Sequence, residues 1–169
     1  MQQTAARNSL DLPIGRITVE TAGGMLLRVF LPCEAPDAPP PAPGSTADQA
    51  LRQIAAYLAG TLRSFTIPCS LAGLSPFRRR TLQAVAAIPY GRTATYGSLG
   101  PARATGTACA ANPLPLVIPC HRVLPASGGI GRYRGGSALK QHLLSLEQGG
   151  GLLTHLLIQG THGIPALRV

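Results

Sequence analysis

The sequence predicts an α+β protein: a small sheet-containing N-terminal domain with one helix over residues 1–72, a mostly helical domain over residues 73–149, and a tail over residues 150–169. Three observations predict it. Polar and apolar residues alternate across a hairpin pattern between Pro13 and Pro32, which is strand periodicity. Apolar residues recur at helical spacing after Thr46, Ser75 and Ser137, each time behind a helix-start signal. The charge also changes character near residue 72. Residues 1–72 carry five basic and five acidic side chains, whereas residues 73–169 carry ten basic residues against Glu147 alone, the whole formal net charge of +9.

A chain of 169 residues with 45% hydrophobic content can bury a substantial core. No apolar run approaches the length of a membrane span, and Met1 to Leu10 holds no apolar signal region, so neither a membrane partner nor a signal peptide is expected. Cys33, Cys69, Cys109 and Cys120 lie far apart without a C-x-x-C pair. That argues against a zinc site and a disulfide framework, and fits a reducing cytoplasm. A one-sided basic half points to a polyanionic partner, most often nucleic acid. A GC-rich genome would explain why 14 of the 15 basic residues are arginine, but not why the excess sits in one half.

Residues 1–12 read as a frayed end. Arg16 to Glu20 alternates, Ala22-Gly23-Gly24 is turn chemistry, and Met25 to Leu31 is a more buried return strand. Six prolines within residues 32–45 make an extended, mobile loop or linker, with a proline-motif ligand as the lesser alternative. Thr46-Ala47-Asp48-Gln49 is a capping-box pattern, Leu51, Ile54, Ala55 and Leu58 give a helical stripe, and Gly60 closes it. Leu62 to Pro68 can form another strand.

Ser75-Pro76 starts the next helix, with Phe77, Thr81, Leu82 and Val85 facing inward. Arg78, Arg79 and Arg80 in its first turn oppose the helix dipole, so they are not there for helix stability. A phosphate-facing role and a merely solvated basic turn fit them equally. Pro89-Tyr90-Gly91 turns the chain. Leu116, Val117 and Ile118 read as a short buried strand or extended segment that Pro119 must end. Leu124 to Arg134 is a glycine-rich loop. Ser137 caps the last clear helix, with Leu139, Leu143 and Leu146 inward and Glu147 near its end. An acidic residue there opposes the dipole and needs another reason. In the tail, Leu152, Leu153, Leu156, Leu157 and Ile158 could pack as a short element, and His155 and His162 read as bystanders.

The chemistry concentrates in Asn112-Pro113-Leu114-Pro115-Leu116-Val117-Ile118-Pro119-Cys120-His121-Arg122-Val123. A free cysteine usually only fills space. Two adjacent basic side chains offer a filler nothing, whereas they activate a nucleophile. Ile118 to Val123, the upstream Asn112-Pro113 and the downstream Gly131-Arg132-Tyr133-Arg134-Gly135-Gly136 together resemble the O6-alkylguanine-DNA alkyltransferases, a match that is dense from about Ser75 to Gly149.

The resemblance implies a ribonuclease-H-like N-terminal domain and a C-terminal domain of winged-helix/helix-turn-helix type. It implies single-use transfer of an alkyl group from O6-alkylguanine, or O4-alkylthymine, in double-stranded DNA to Cys120. The protein would act as a monomer without cofactor or metal. Glu147 would orient His121 and favour its positive form, and His121 would take the thiol proton through a water. Tyr96 would donate to the leaving base. Arg103 would fill the gap left by the flipped base, with Ala104, Arg122 and Asn112 on the DNA side and Asn112 holding the strand that leads to the nucleophile. Val123, Tyr133, Arg134 and Gly131 would line the pocket, Arg134 through its backbone. Ala104 to Ala111 would be the recognition helix. Between Tyr96 and Arg103 stand only residues 97–102, so the first helix of the helix-turn-helix must shrink to a turn or vanish. A non-catalytic damage-recognition relative and a cysteine hydrolase are the rival readings.

Overall fold

The computed structural model describes residues 4–149. It is a mixed α/β structure in which a small antiparallel sheet precedes four helices. Strands β1 (Ala6–Leu12), β2 (Gly15–Ala22) and β3 (Met25–Phe30) form a meander in that order. The expected hairpin is β2–β3. Ala22 opposes Met25, so the loop is Gly23-Gly24, with φ of 58° and 72°, the left-handed values a two-residue hairpin turn demands.

The expected frayed end is instead strand β1. No apolar run announces it, because polar groups hold it: Arg7 pairs with Glu20 at 2.8 Å and Arg16 with Asp11 at 2.9 Å across the ladder. Nor is the proline-rich segment free. Asn8 and Ser9 donate to the carbonyls of Ala38, Pro39 and Pro40, and Thr18 donates to Pro36. Prolines lack an N–H but keep a carbonyl, so this segment covers the outer edge of β1 without continuing the sheet.

Helix α1 (Thr46–Leu58) packs on all three strands. Its cap is Ser45, one residue before the expected box: Ser45 Oγ accepts the Asp48 N–H at 3.1 Å, and Asp48 accepts the Gly44 N–H at 2.9 Å. Leu51, Ile54 and Leu58 are buried as the spacing predicts, and so is Tyr57. The strand expected over Leu62 to Pro68 does not form. A single bridge joins Leu26 and Cys69, and Pro68, without an N–H, cannot extend a ladder from it.

Helix α2 (Pro76–Ala86) starts under a Ser75 cap, as expected, and buries Thr81, Leu82 and Val85. Phe77 does not join them; it is 39% exposed. Arg78, Arg79 and Arg80 are all exposed. Strand β4 (Ala94–Thr95) leads into a 3-10 turn, Tyr96–Leu99, so no full helix stands between Tyr96 and Arg103. Helix α3 (Ala102–Ala110) begins earlier than expected, straight after Pro101. Strand β5 (Val123–Leu124) pairs in parallel with β4, and both are too short to show a period. Helix α4 (Ser137–Glu147) has Gly136, at φ 87°, in the cap position, so Ser137 is the first helical residue and not the cap.

One apolar core runs through the sheet, α1, α2 and the segment before Cys120, from Ile17 and Leu51 to Leu82, Leu114 and Leu143. No described helix is long and apolar enough to cross a membrane. The expectations for Leu152, Leu153, Leu156, Leu157, Ile158, His155 and His162 lie outside the described residues.

Candidate active site

The segment before Cys120 is a turn and not the expected strand. Leu116 has φ 74°, and the Ile118 N–H reaches back to the Leu114 carbonyl at 2.8 Å. The buried Asn112 side chain imposes this. Its Oδ1 accepts the Leu114 N–H at 3.0 Å, and its Nδ2 donates to the Ile118 carbonyl at 2.9 Å and to Cys120 Sγ at 3.2 Å. One amide therefore folds the loop and touches the thiol. The Val29 N–H donates to the Pro113 carbonyl at 2.9 Å, tying the turn to β3.

Cys120, His121 and Arg122 form a 3-10 turn, and all three are buried. Burial pushes the Cys120 thiol up; the Asn112 hydrogen bond and the nearby Lys140 charge pull against it. The resting group is therefore a thiol that needs a base.

His121 supplies one. Its Nε2 lies 2.8 Å from Glu147 Oε1, and Tyr57 Oη lies 3.1 Å from the same nitrogen. A carboxylate cannot donate, so Nε2 carries the proton, and Nδ1 is the lone-pair nitrogen. Nδ1 is buried and makes no hydrogen bond to the protein. Burial pushes His121 down, and it outweighs the upward pull of Glu147. Glu147 holds the ring through Nε2 and favours its positive form, as expected, but burial outweighs that pull, and the Arg122 and Lys140 charges act in the same direction as burial.

Glu147 is saturated with donors. Oε1 accepts from Tyr57 at 2.6 Å, His121 at 2.8 Å and Arg122 Nη2 at 2.9 Å, while Oε2 accepts from Arg122 Nε at 2.9 Å and the Gly91 N–H at 3.0 Å. Burial pushes the carboxyl up, but the hydrogen bonds from His121, Arg122 and Tyr57 prevail and bring it down to about 2. This is the reason for an acid at the end of α4: it is held by side chains and not by its helix.

The structure thus gathers Cys120, His121, Glu147 and Asn112. Val123 is buried beside them, and its carbonyl accepts from Lys140 Nζ at 2.8 Å. Tyr96 is half-buried on the same side, its ring 6.0 Å from Lys140 Nζ, and burial first, then the two thiols Cys109 and Cys120, push its hydroxyl up. Tyr133 turns its ring edge to His121 at 6.3 Å, and its hydroxyl is buried without a partner. Gly131, at φ 71°, could not carry a Cβ without meeting Pro125 at 2.9 Å. The Arg134 side chain is engaged within the protein, with the Asn112 carbonyl at 3.1 Å and Glu34 at 3.2 Å.

Two residues leave the expected DNA side. Arg122 is buried, bound to Glu147 and, through Nη1, to the Ile88 carbonyl at 2.6 Å, so it neutralises the relay carboxylate and faces no phosphate. Asn112 is 1% exposed and faces no DNA, but it does hold the segment that leads to the nucleophile, as expected, through its amide on the turn and the thiol. Arg103 and Ala104 do lie on the outward part of α3, with Arg103 exposed.

Tyr57 and Lys140 were not foreseen. Both signals were present. Tyr57 sits on the apolar stripe of α1, where a buried hydroxyl must find a partner. Lys140, Leu143, Leu144 and Glu147 share one helical face, so the lysine and the acid had to be buried together.

Known proteins resemble this chain in sequence and in fold. A family model described as 6-O-methylguanine DNA methyltransferase, DNA binding domain, matches residues 76–149. The chain is 38% identical over 151 residues to the methylated-DNA--protein-cysteine methyltransferase of Mycobacterium tuberculosis, covering 83% of this chain and 90% of that one. It is 37% identical over 144 residues to the DNA base-flipping protein of Thermus thermophilus, covering 82% and 97%. The crystal structure of Mycobacterium tuberculosis OGT in complex with DNA matches with a TM-score of 0.79 and 34% identity, over 91% of this chain and 99% of that one.

Proposed function

The chain belongs to the O6-alkylguanine-DNA alkyltransferase family, and from that premise we propose that it repairs DNA by moving the alkyl group of O6-alkylguanine, or O4-alkylthymine, irreversibly onto Cys120. The observation that carries this is a buried His121 held through Nε2 by Glu147, next in sequence to a buried Cys120 whose Sγ accepts the Asn112 amide. The protein is a methylated-DNA–protein-cysteine S-methyltransferase that acts once.

The thiol proton passes to His121 Nδ1 through a bridging water. The thiolate attacks the alkyl carbon, the C–S bond forms, and the C–O6 bond breaks. The electron pair moves onto the base, where Tyr96 donates a proton toward a ring nitrogen as charge builds. The thiol is deprotonated only as it reacts, because burial disfavours a resting thiolate. Tyr133, whose hydroxyl is unpartnered, and the backbone at Cys120, Val123 and Arg134 hold the base edge. The target base must leave the stack at a cost of a few kcal/mol, and Arg103 fills the gap.

We read residues 1–72 as a ribonuclease-H-like domain, and residues 73–149 as a winged-helix/helix-turn-helix domain in which α2, the 3-10 turn and α3 form the DNA-facing unit. The mutual packing of those three elements supports this. The protein works as a monomer in a reducing cytoplasm. The non-catalytic alternative is not favoured, because thiol, base and carboxylate are all in place.

Intact-protein mass after incubation with a duplex carrying one O6-methylguanine tests the proposal. The wild-type chain gains one methyl group and Cys120→Ala gains none. A wild-type chain that binds the duplex without gaining mass would overturn it.

A further inference from the structure

We propose that Tyr57 is a positioning residue for alkyl transfer: its hydroxyl, carried by α1 from the sheet half of the molecule, donates to Glu147 Oε1 beside His121 Nε2 and thereby sets how strongly the carboxylate holds a proton on His121. The inference rests on the alkyl-transfer reading and deepens it.

The geometry is specific. Tyr57 lies 64 residues from His121 and 90 from Glu147 in sequence, yet its hydroxyl reaches both, at 3.1 Å and 2.6 Å. It meets the same carboxylate oxygen that His121 uses. The other oxygen serves Arg122 and the Gly91 N–H. Every donor on Oε1 draws charge away from the imidazole. Arg122 cannot be dispensed with, since it also ties the cysteine turn to the Ile88 carbonyl. Tyr57 contributes one hydroxyl that can be removed alone. Its ring is completely buried, packed edge-on to Tyr90 at 6.2 Å and tilted on Phe65 at 5.4 Å, so phenylalanine fills the same space.

Several other groups face His121. Cys120 and Arg122 flank it on its own turn, Glu147 and Lys140 reach it from α4, and Tyr133 turns its ring edge to it from the loop before α4. Among these, Arg122 and Lys140 disfavour a charged imidazole and Glu147 favours it. Tyr57 tempers the one group that favours it. Burial and the Glu147 charge push the Tyr57 hydroxyl upward, so it remains a proton donor wherever the protein is folded.

Removing the hydroxyl leaves more carboxylate charge on His121 and makes it more basic. An imidazole that is already protonated cannot accept the Cys120 proton. The acid limb of the pH–rate profile for methyl transfer therefore moves up in Tyr57→Phe. We expect a move of about half a pH unit, which lowers the rate about threefold on the acid side and leaves the alkaline plateau in place. Gln53→Ala, on the same helix, removes the side chain that bonds Thr66 at 3.0 Å and touches nothing in the relay. It is the control for a loosened α1.

Two further measurements keep the outcome decisive. The ¹⁵N titration of His121 needs no substrate, and its midpoint rises in Tyr57→Phe. Replacing Tyr57 with 3-fluorotyrosine keeps the hydroxyl as a stronger donor, and moves the limb and the midpoint down. If Tyr57→Phe does not fold, the fluorinated protein decides alone. An unmoved limb and midpoint, or a uniform loss of rate at all pH matching Gln53→Ala, overturns the proposal. A wild-type chain that takes up no methyl group instead overturns the alkyl-transfer reading, and the His121 titration still decides the role of Tyr57.

Discussion

At the scale of single residues, Glu147 shows how a buried charge can be both costly and necessary. Its carboxyl is brought down to about 2 in the folded chain, from an ordinary value of 4.5. A depressed acid adds stability that is complete above the unfolded value and is lost as pH falls toward the folded one. Acid unfolding should therefore set in between those two values. Glu147→Gln leaves the Arg122 guanidinium buried without its counter-charge, and should cost about 3–5 kcal/mol near neutral pH. Urea titrations across pH check both points: the variant is less stable at neutral pH, and its acid branch is flatter. Cys120 and His121 were legible in the sequence, since their adjacency carries the chemistry. The downward push on His121 was not, because it comes first from how deeply other elements bury the ring.

At the scale of elements, what could be read was what repeats. The β2–β3 hairpin, α1 and α2 followed from periodicity and caps, and the lack of a full helix in residues 97–102 from the family resemblance together with Gly100-Pro101. Strand β1 escaped because ion pairs and the carbonyls of the proline-rich segment hold it, and neither leaves an apolar period. The turn over residues 114–118 escaped for a related reason: Leu116 to Ile118 has strand composition, but the Asn112 side chain captures the backbone groups a strand would use. The Pro89–Gly91 turn offers a test. Gly91 has φ 73°, a Cβ there would lie 3.1 Å from the Glu147 carbonyl oxygen, and its N–H donates to Oε2. Gly91→Ala should destabilise the protein by about 1–2 kcal/mol. Thermal unfolding measures the loss, and a slower methyl transfer should accompany it.

At the scale of the whole molecule, the charge asymmetry and the position of the site agree. The basic half carries the cysteine turn, and its exposed arginines Arg78, Arg79, Arg80 and Arg103 lie on α2 and α3. The double variant Arg78→Ala/Arg80→Ala should bind duplex DNA more weakly. The slope of log affinity against log salt should be shallower by about 0.9 for each phosphate that is no longer neutralised. Folding stability should stay within about 0.5 kcal/mol, as for exposed surface changes; an unchanged slope would place the DNA elsewhere. The sheet half is not a bystander, since α1 delivers Tyr57 to the relay. The central claim is that Cys120 alone takes the alkyl group, once. Cys109 shares its neighbourhood and burial pushes both thiols up, but the Asn112 amide is spent on Cys120 and His121 follows Cys120 directly in the chain. The most direct measurement is peptide-mapped mass spectrometry with the methylated duplex in excess. The prediction is one methyl group per chain, on Cys120, with Cys33, Cys69 and Cys109 unmodified. More than one duplex repaired per chain, or a methyl group on any other residue, would contradict it.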